Sequence, residues 1–228
     1  MTIQEAMKER HSVRKYVHKP LNEHIVSLLQ SMIDDCNKEG GLNIQLVTNE
    51  PKAFSGMMAY GKFSGVENYF VMAGKKSPTL DERIGYYGEK LVLSAQQLGL
   101  NTCWAGISYR KVKGVYVLGK DEKLACMIAL GYGENQGISH KSKTCQKVSN
   151  WDDSSPGWFQ KGVTAALLAP TAINQQKFYF EYIKSNDGSL PKVKASALFS
   201  IVGYTQMDLG IAKLHFEEGA GKENFEWV

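Results

Sequence analysis

The sequence has few cysteines and no long apolar segment. The 228 residues include four cysteines, which are far apart and form no CxxC pair, and five histidines without HExxH or HxH spacing. These spacings argue against a zinc site and a disulfide framework. No apolar run approaches the ~18 residues that a membrane span requires. The polar segment after Met1 has no apolar core typical of a secretory signal, so we expect a cytoplasmic protein.

Charge of one sign is not concentrated along the chain either. Lys and Arg number 27 against 23 Asp and Glu, which gives a formal net charge of +4. Nucleic-acid-binding proteins usually carry a concentrated basic stripe, whereas the basic residues here cluster at 10–19 and 141–147. Two small clusters suit a phosphate-sized anion better than a duplex, so we expect neither a nucleic-acid nor a membrane partner.

Periodicity and capping residues predict a mixed chain of helices and strands. Thr2 and Glu5 form a capping box for a helix that ends near Arg10, and Asn22 begins a second helix that ends at Gly40. Further helices are predicted at 81–99, 155–170 and 208–218, with Ser155 as N-cap and Pro156 in the first position. Strands are predicted at 42–48, 68–74, 101–107, 124–133, 177–183 and 197–203. The pattern predicts a mixed helix and loop at 50–66 and a polar linker at 134–155.

The order of the predicted elements repeats along the chain. A helix, two strands and a helix occur in each half, and Asn43 and Gln45 stand in one copy where Asn174 and Gln176 stand in the other. A repeated order is typical of related units that pack on each other. We therefore predict an N-terminal half at 1–145 and a shorter C-terminal half at 146–228.

Three short segments could bind a small anion or a flat ring. Within RHSVR at 10–14, Arg10, Ser12 and Arg14 alternate and so project to one side of an extended backbone, either as a phosphate or carboxylate clamp or as a solvated basic turn. In PTAINQQ at 170–176, the amides could face a planar heterocycle or simply form a turn between helix and strand. TCWAGI at 102–107 could support a flat ring or pack closely against a neighbouring strand.

One glycine-rich segment is not interpreted as a dinucleotide site. GYGENQG at 131–137 follows a predicted strand, but its third glycine is one place late and no amphipathic helix follows. A turn from strand to loop is preferred there, and a solvated loop is preferred for Lys141 and Lys143. No Ser-His-Asp or paired-carboxylate pattern points to hydrolytic chemistry.

Together these segments resemble the FMN-dependent nitroreductase family. RHSVRKY resembles its phosphate-binding R-x-S-x-R/K segment, and GYYGEKLVLSAQQLGLNTCWAGI is similar to LAAxxLGLGxxxxG. DEKLACMIALGYG resembles the strand IALGYP, and APTAINQQKFYF resembles APSxxNxQPWxF. The resemblance covers most of the chain. It implies an α+β fold with central antiparallel sheets flanked by helices.

The order of the motifs departs from that of ordinary family members. Those members are homodimers, in which one subunit supplies R-x-S-x-R and the other supplies PSxxN to a flavin at the interface. Here the good PSxxN copy lies at 169–180, and GGLNIQLVT stands in its usual place. The chain thus resembles the subgroup with two fused half-domains, which implies an intrachain pseudo-dimer, a monomer, and one complete FMN site per chain.

The resemblance also implies which residues bind the FMN. Those expected at the phosphate, the ribityl chain and the pyrimidine edge are Arg10, His11, Ser12, Arg14, Lys141 and Lys143. Those expected near or beneath the isoalloxazine are Lys62, Trp104, Ala105 and Gly106. Those expected from across the interface are Pro170, Thr171, Ala172, Asn174 and Gln176. The usual Pro-Trp that follows is Lys177-Phe178 here, which leaves the substrate-side wall undefined.

The implied activity is oxidoreduction through the flavin. NAD(P)H would pass a hydride to the flavin, and a nitroaromatic, quinone or similar acceptor would take the electrons in ping-pong order. Two alternatives stay open: a flavin-binding or sensor protein of the same fold without turnover, and a binding protein that has lost the flavin. An assay of NADH consumption and the colour of the purified protein distinguish them.

Overall fold

The computed structural model of the chain describes residues 1–57, 59, 61–185 and 188–228. The helices are α1 (Ile3–Glu9), α2 (Glu23–Gly40), α3 (Leu80–Gln97), α4 (Cys145–Val148), α5 (Gly157–Ala166) and α6 (Thr205–Ala220). The strands are β1 (Gln45–Val47), β2 (Asn68–Lys75), β3 (Asn101–Ala105), β4 (Glu122–Gly131), β5 (Phe178–Ile183), β6 (Lys192–Ala197) and β7 (Glu226–Trp227). Short 3-10 turns lie at Ala172–Asn174 and Lys222–Asn224.

The predicted starts of the first two helices are confirmed. The Glu5 amide donates to Thr2 Oγ1 at 3.2 Å, and the Thr2 amide donates to Glu5 Oε2 at 2.8 Å, which completes the capping box. The Ile25 amide donates to Asn22 Oδ1 at 2.8 Å. Gly41 is the C-cap of helix α2, with φ of 58°, a left-handed conformation that glycine adopts without steric cost.

Two sheets organise the chain. The first has the order β1-β2-β4-β3 with antiparallel neighbours, and the second has the order β5-β6-β7, in which β6 and β7 run parallel. Strand β2 is buried from Asn68 to Gly74, so both of its faces are covered. This explains why its sequence is a continuous apolar run rather than an alternating one.

Each sheet has its own apolar core, and two helices join them. Leu29, Phe70 and Ile128 belong to the first core, whereas Phe159 and Phe216 belong to the second. Helices α3 and α6 pack against each other between the sheets. Their backbones approach closely at glycines: a Cβ added to Gly85 would overlap the carbonyl of Met207, and one added to Gly210 would overlap the carbonyl of Glu82.

The repeated order of elements is present in the fold. The first half contains α2-β1-β2-α3 and the second contains α5-β5-β6-α6, each with an antiparallel strand pair. The division at residues 145 and 146 and the internal pseudo-dimer remain predictions. No helix in the described part of the chain is both long and apolar enough to cross a membrane.

The prediction of a strand at 197–203 is wrong. Strand β6 ends at Ala197, and the apolar side chains that follow are exposed, 85% for Phe199 and 93% for Ile201. The strand is instead the alternating segment 192–197, in which Val193 is buried and Lys192 and Lys194 are exposed. An apolar run without alternation does not distinguish a buried strand from an exposed loop.

Three other local predictions need correction. Helix α5 begins at Gly157 with Pro156 as its N-cap, not Ser155, and it ends at Ala166, before the predicted Pro170. The linker at 134–155 contains the short helix α4. The described residues of 50–66 form turns without a helix, in which the Glu50 carboxylate accepts from the amides of Lys52 and Ala53; Met58 and Tyr60 lie outside the described residues.

Candidate functional site

A cavity of about 580 Å³ is lined by segments that lie between residues 12 and 211 and come from near both ends of the chain. Its size falls in the range of small-molecule and cofactor sites, roughly 300–1,000 Å³. Its walls come from six separate segments of the chain. The lining residues are Ser12, Arg14, Gly61, Lys62, Phe63, Trp104, Ala105, Gly106, Ile107, Ser108, Cys126, Pro170, Thr171, Ala172, Ile173, Val202, Tyr204, Met207, Asp208 and Ile211.

The segment after α1 is positioned by the edge of the first sheet. Ser12 forms a parallel bridge with Thr102, and the Val13 amide donates to the Thr102 carbonyl at 3.0 Å. Because Val13 is buried in the core, its neighbours Ser12 and Arg14 project to the opposite side, into the cavity. The prediction that alternate residues of this segment project to one side is therefore correct for Ser12 and Arg14.

Many of the predicted site residues meet in this cavity, from both ends of the chain. Those that line it are Ser12, Arg14, Lys62, Trp104, Ala105, Gly106, Pro170, Thr171 and Ala172. Those that do not line it are Arg10, His11, Lys141, Lys143, Asn174 and Gln176. The cleft thus joins the basic N-terminal segment to the segment that begins at Pro170.

The two amides predicted to face a planar ring are engaged elsewhere. The Asn174 and Gln176 side chains donate to the carbonyl of Lys141 at 2.8 and 2.9 Å. The Lys143 amide donates to Gln176 Oε1 at 2.9 Å, and its ammonium donates to the carbonyls of Gln175 and Gln176. These contacts link the 141–143 loop to the cavity wall. For Asn174 and Gln176, the structure therefore agrees with the interpretation of 170–176 as a turn between helix and strand, not with amides that face a planar ring.

Backbone strain is concentrated in the same wall. Ile173, Asn174 and Gln176 have φ of 47°, 57° and 46°, which is uncommon for residues other than glycine and unusual for a β-branched side chain. Ile173 is 79% exposed and lines the cavity. Such conformations cost of order 1–3 kcal/mol each for Ile173 and Gln176 and persist where surrounding contacts hold them, whereas Asn tolerates this region of φ.

A buried acid on α6 holds this strained wall, and the sequence analysis missed it. Asp208 accepts hydrogen bonds from the Ala172 amide at 3.0 Å and from Gln175 Nε2 at 2.7 Å. Its side chain is 3% exposed, and burial raises its pKa to about 6, against the lowering effect of those two donors. No sequence motif marks Asp208, because its partners lie more than thirty residues away.

A second buried acid lies behind the cavity and was also missed. Glu89 on α3 is fully buried; its Oε2 accepts from Trp104 Nε1 at 3.0 Å, and its Oε1 lies 3.0 Å from His215 Nε2. Arg10 Nε lies 3.6 Å from the same Oε1. Arg10 is therefore in the interior, 3% exposed, rather than in the cavity lining.

The remaining predicted residue of the basic segment lies beside Arg10. His11 is partly exposed and contacts Gly137, where an added Cβ would lie 2.7 Å from the His11 Cβ. Burial, and then the positive Arg10, lowers the pKa of His11. Gly137 belongs to the glycine-rich segment interpreted as a turn, and the chain forms no helix between 132 and 144, as expected.

Charge is distributed unequally around the cavity. Arg14 and Lys62 bring two cationic side chains from the N-terminal half, and Asp208 brings a carboxyl group from α6. The floor between them contains Trp104, Ala105 and Gly106 at the end of β3. An anionic group is therefore favoured near Arg14 and Lys62, and a flat apolar group is favoured near Trp104.

One known protein family matches almost the entire chain. A family described as "Putative TM nitroreductase" matches residues 2–220, nearly the whole chain. The chain belongs to this nitroreductase family. None of the curated proteins compared with the chain matches it.

Solved structures show the same fold at low sequence identity. A "putative nitroreductase" from Thermotoga maritima has a TM-score of 0.67 and 20% identity, covering 98% of this chain and 85% of its own. A "putative nitroreductase in complex with FMN" from Desulfovibrio desulfuricans has a TM-score of 0.53 and 13% identity, covering 68% and 99%. An FMN and NADPH-dependent nitroreductase mutant from Sphigopyxis sp. strain HMH has a TM-score of 0.52 and 14% identity, covering 67% and 100%.

Proposed function

We propose that the chain is an FMN-dependent oxidoreductase that transfers electrons from NAD(P)H to a nitroaromatic, quinone or similar small acceptor. The observation that carries the proposal is the cavity that Ser12 and Arg14 line together with Thr171 and Ala172, since these belong to the two motifs that resemble the family's flavin-binding segments. Membership of the nitroreductase family supports it. Two structures of similar fold are described as FMN-bound or FMN-dependent.

The residues present fit a cofactor with an anionic tail and a flat ring. Arg14 and Lys62 supply charge for a phosphate, and the Ser12 hydroxyl supplies a neutral donor. Arg10 Nε is buried and has no hydrogen-bond partner among the described residues, so this guanidinium retains an unused donor close to the same segment. Gly106 allows the Tyr204 ring to approach the floor of the cavity closely, because an added Cβ would lie 2.6 Å from that ring.

When bound, FMN supplies the redox chemistry, taking a hydride from NAD(P)H and passing electrons to the acceptor. The chain's own residues bind and orient it. Arg14 and Lys62 hold negative charge at one end, while Trp104 and the small residues after it provide a flat floor. Ile107, Ile173 and Val202 line the cavity with exposed apolar side chains, which can accommodate an apolar acceptor.

A single chain supplies both walls, so we propose a monomer with one FMN per chain. Arg14 and Thr171 line the same cavity although they are far apart in the sequence. The Desulfovibrio structure aligns over 99% of its own length with 68% of this chain, which leaves about a third of this chain as additional structure. This fits a chain in which a second, shorter half takes the place of a partner subunit.

The variant Arg14→Ala tests the proposal. A charge-assisted hydrogen bond contributes about 1.5–3 kcal/mol, so we expect FMN to bind at least tenfold more weakly, with the melting temperature of the flavin-free chain unchanged. The matched control is Lys38→Ala, which removes an exposed cation at the end of α2, away from the cavity. Equal FMN affinity in wild type and Arg14→Ala would count against the proposed site.

One observation favours a second candidate, a flavin-binding protein without turnover. Phe178, at the place of the tryptophan in the family motif, is fully buried in the core of the second half and does not line the cavity. The substrate-side wall therefore differs from the one that the motif implies. A steady-state assay of NADH consumption with a quinone or nitroaromatic acceptor separates the two candidates, since only the enzyme consumes NADH in step with the acceptor.

A further inference from the structure

Behind the cavity, four side chains from four separate elements form one buried network. Arg10 follows α1, Glu89 lies on α3, Trp104 on β3 and His215 on α6. Glu89 and His215 are fully buried, and Arg10 is 3% exposed. The network links the helices of both halves, because Glu89 and His215 are 126 residues apart in the sequence. Neither Glu89 nor His215 lines the cavity proposed to bind FMN.

The hydrogen bonds fix the net charge of this network. His215 Nδ1 lies 3.2 Å from the carbonyl oxygen of Ala165, so this nitrogen carries a proton and donates it. His215 Nε2 faces Glu89 Oε1 at 3.0 Å, so one further proton lies between these two atoms. Wherever that proton sits, the His215–Glu89 pair is neutral as a whole. The guanidinium of Arg10 is then a surplus positive charge in the interior.

Only the indole ring of Trp104 separates the network from the cavity. Trp104 lines the cavity, and its indole N–H donates to Glu89 Oε2 at 3.0 Å. The indole can lie against α3 because residue 88 is glycine: an added Cβ there would lie 2.5 Å from Trp104 Cη2. A charge behind the indole is separated from bulk water, so it acts on a cavity ligand with little screening.

Other groups near the network do not cancel its charge. Burial lowers the pKa of His140, against the raising effect of its hydrogen bond to the Leu167 carbonyl, and the positive Arg10 lowers it further. Burial raises the pKa of Cys103, so its thiol stays neutral beside Arg10. Glu218 interacts with His215 but is exposed to solvent, which screens it.

We propose that Arg10, Glu89 and His215 form an electrostatic support for the flavin site, in which the neutral His215–Glu89 pair leaves the charge of Arg10 free to favour the reduced cofactor. This inference rests on the proposed function. Reduction of the flavin by NAD(P)H adds two electrons and one proton, a hydride, and leaves one more negative charge on the ring. A nearby positive charge stabilises that product relative to the oxidised form. Glu89 and His215 act through Trp104 and Arg10 and are positioning residues.

Variants that keep the shape of the network test its charge. His215→Gln leaves Glu89 as an unpaired carboxylate opposite Arg10, so the network becomes neutral. Glu89→Gln leaves a neutral amide that can donate to a neutral His215 and accept from Trp104, so the surplus charge is kept. The double variant Glu89→Gln with His215→Gln again leaves Arg10 as the surplus charge.

The measured quantity is the ratio of the dissociation constants of oxidised and reduced FMN, obtained from the reduction potential of the bound flavin. We expect His215→Gln to weaken the preference for reduced FMN about tenfold, which corresponds to a potential about 30 mV lower for a two-electron couple. Glu89→Gln is expected to stay within about twofold of wild type, and the double variant to return to that level. Arg10→Gln should change the ratio in the same direction as His215→Gln. It replaces His215→Gln in the test if that variant does not fold.

The outcomes separate a charge effect from a packing effect. If the variants only loosen the core, oxidised and reduced FMN lose affinity equally, and the double variant is worse than either single variant. That result, or an unchanged ratio in His215→Gln, overturns the inference while the proposed function stands. A wild-type chain that binds no FMN overturns the proposed function, and the inference with it. Melting curves of the flavin-free variants report folding separately.

Discussion

The stability of the flavin-free chain should fall as the pH rises through the titration of Asp208. This carboxyl is 3% exposed, and burial raises its pKa from 3.8 to about 6. Between these two values the folded chain binds the proton and the unfolded chain has released it, so stability decreases with increasing pH. The contribution is fully present below pH 3.8 and lost above pH 6. At about 1.4 kcal/mol per pKa unit, the interval corresponds to about 3 kcal/mol.

The variant Asp208→Asn isolates this contribution, because Asn stays neutral. Its Oδ1 can still accept from the Ala172 amide, and its amide can donate to Gln175 Oε1, which is buried without a partner among the described residues. The assay is urea unfolding of both proteins at a series of pH values from about 3 to 7, a range that spans both pKa values.

We expect the difference in free energy of unfolding, wild type minus variant, to fall by about 3 kcal/mol across that range. The matched control is Asp153→Asn at an exposed aspartate, for which the difference should stay flat. A flat difference for Asp208→Asn would refute the reasoning, since it would mean that the carboxyl titrates alike in both states.

Two further substitutions test the packing of the helices and the strained wall. Gly210→Ala should destabilise the chain by about 3 kcal/mol, because the new Cβ would overlap the Glu82 carbonyl. The control is Gly157→Ala, where no atom lies within 4 Å of the new Cβ, and it should be neutral or stabilise the chain by about 0.5 kcal/mol. Equal effects of the two variants in urea unfolding would contradict the close contact of α3 and α6. Ile173→Asn should stabilise the flavin-free chain by about 1 kcal/mol, because Asn tolerates φ of 47°. The control is Ile138→Asn, at an exposed residue without positive φ, which should change the stability little. A lower melting temperature for Ile173→Asn would show that the wall is not strained.

Local structure could be predicted well from the sequence where the signal is itself local. The capping box of Thr2 and Glu5 acts within one helical turn, and the apolar run of β2 is buried on both faces. The loop at 198–202 could not be predicted, because its apolar composition is the same whether it is buried or exposed. Only the packing around it decides the outcome, and here it leaves Phe199 and Ile201 exposed.

The candidate site could be predicted where a segment carries its own chemistry. The alternation of Ser12 and Arg14 and the small residues at 105 and 106 identified parts of the cavity lining. Asp208 and Glu89 could not be found in this way, because each is defined by partners that are distant in the sequence. The same limit applies to Arg10. Its spacing matches that of Ser12 and Arg14, but its side chain lies in the interior, beside the carboxylate of Glu89 on α3.

The measurement that tests the central claim most directly is a titration of the purified, flavin-free chain with FMN, followed by quenching of flavin fluorescence and by the visible absorption spectrum. We expect saturable binding of one FMN per chain, because a single chain supplies both Arg14 and Thr171 to the cavity. No binding, or one FMN for every two chains, would contradict it.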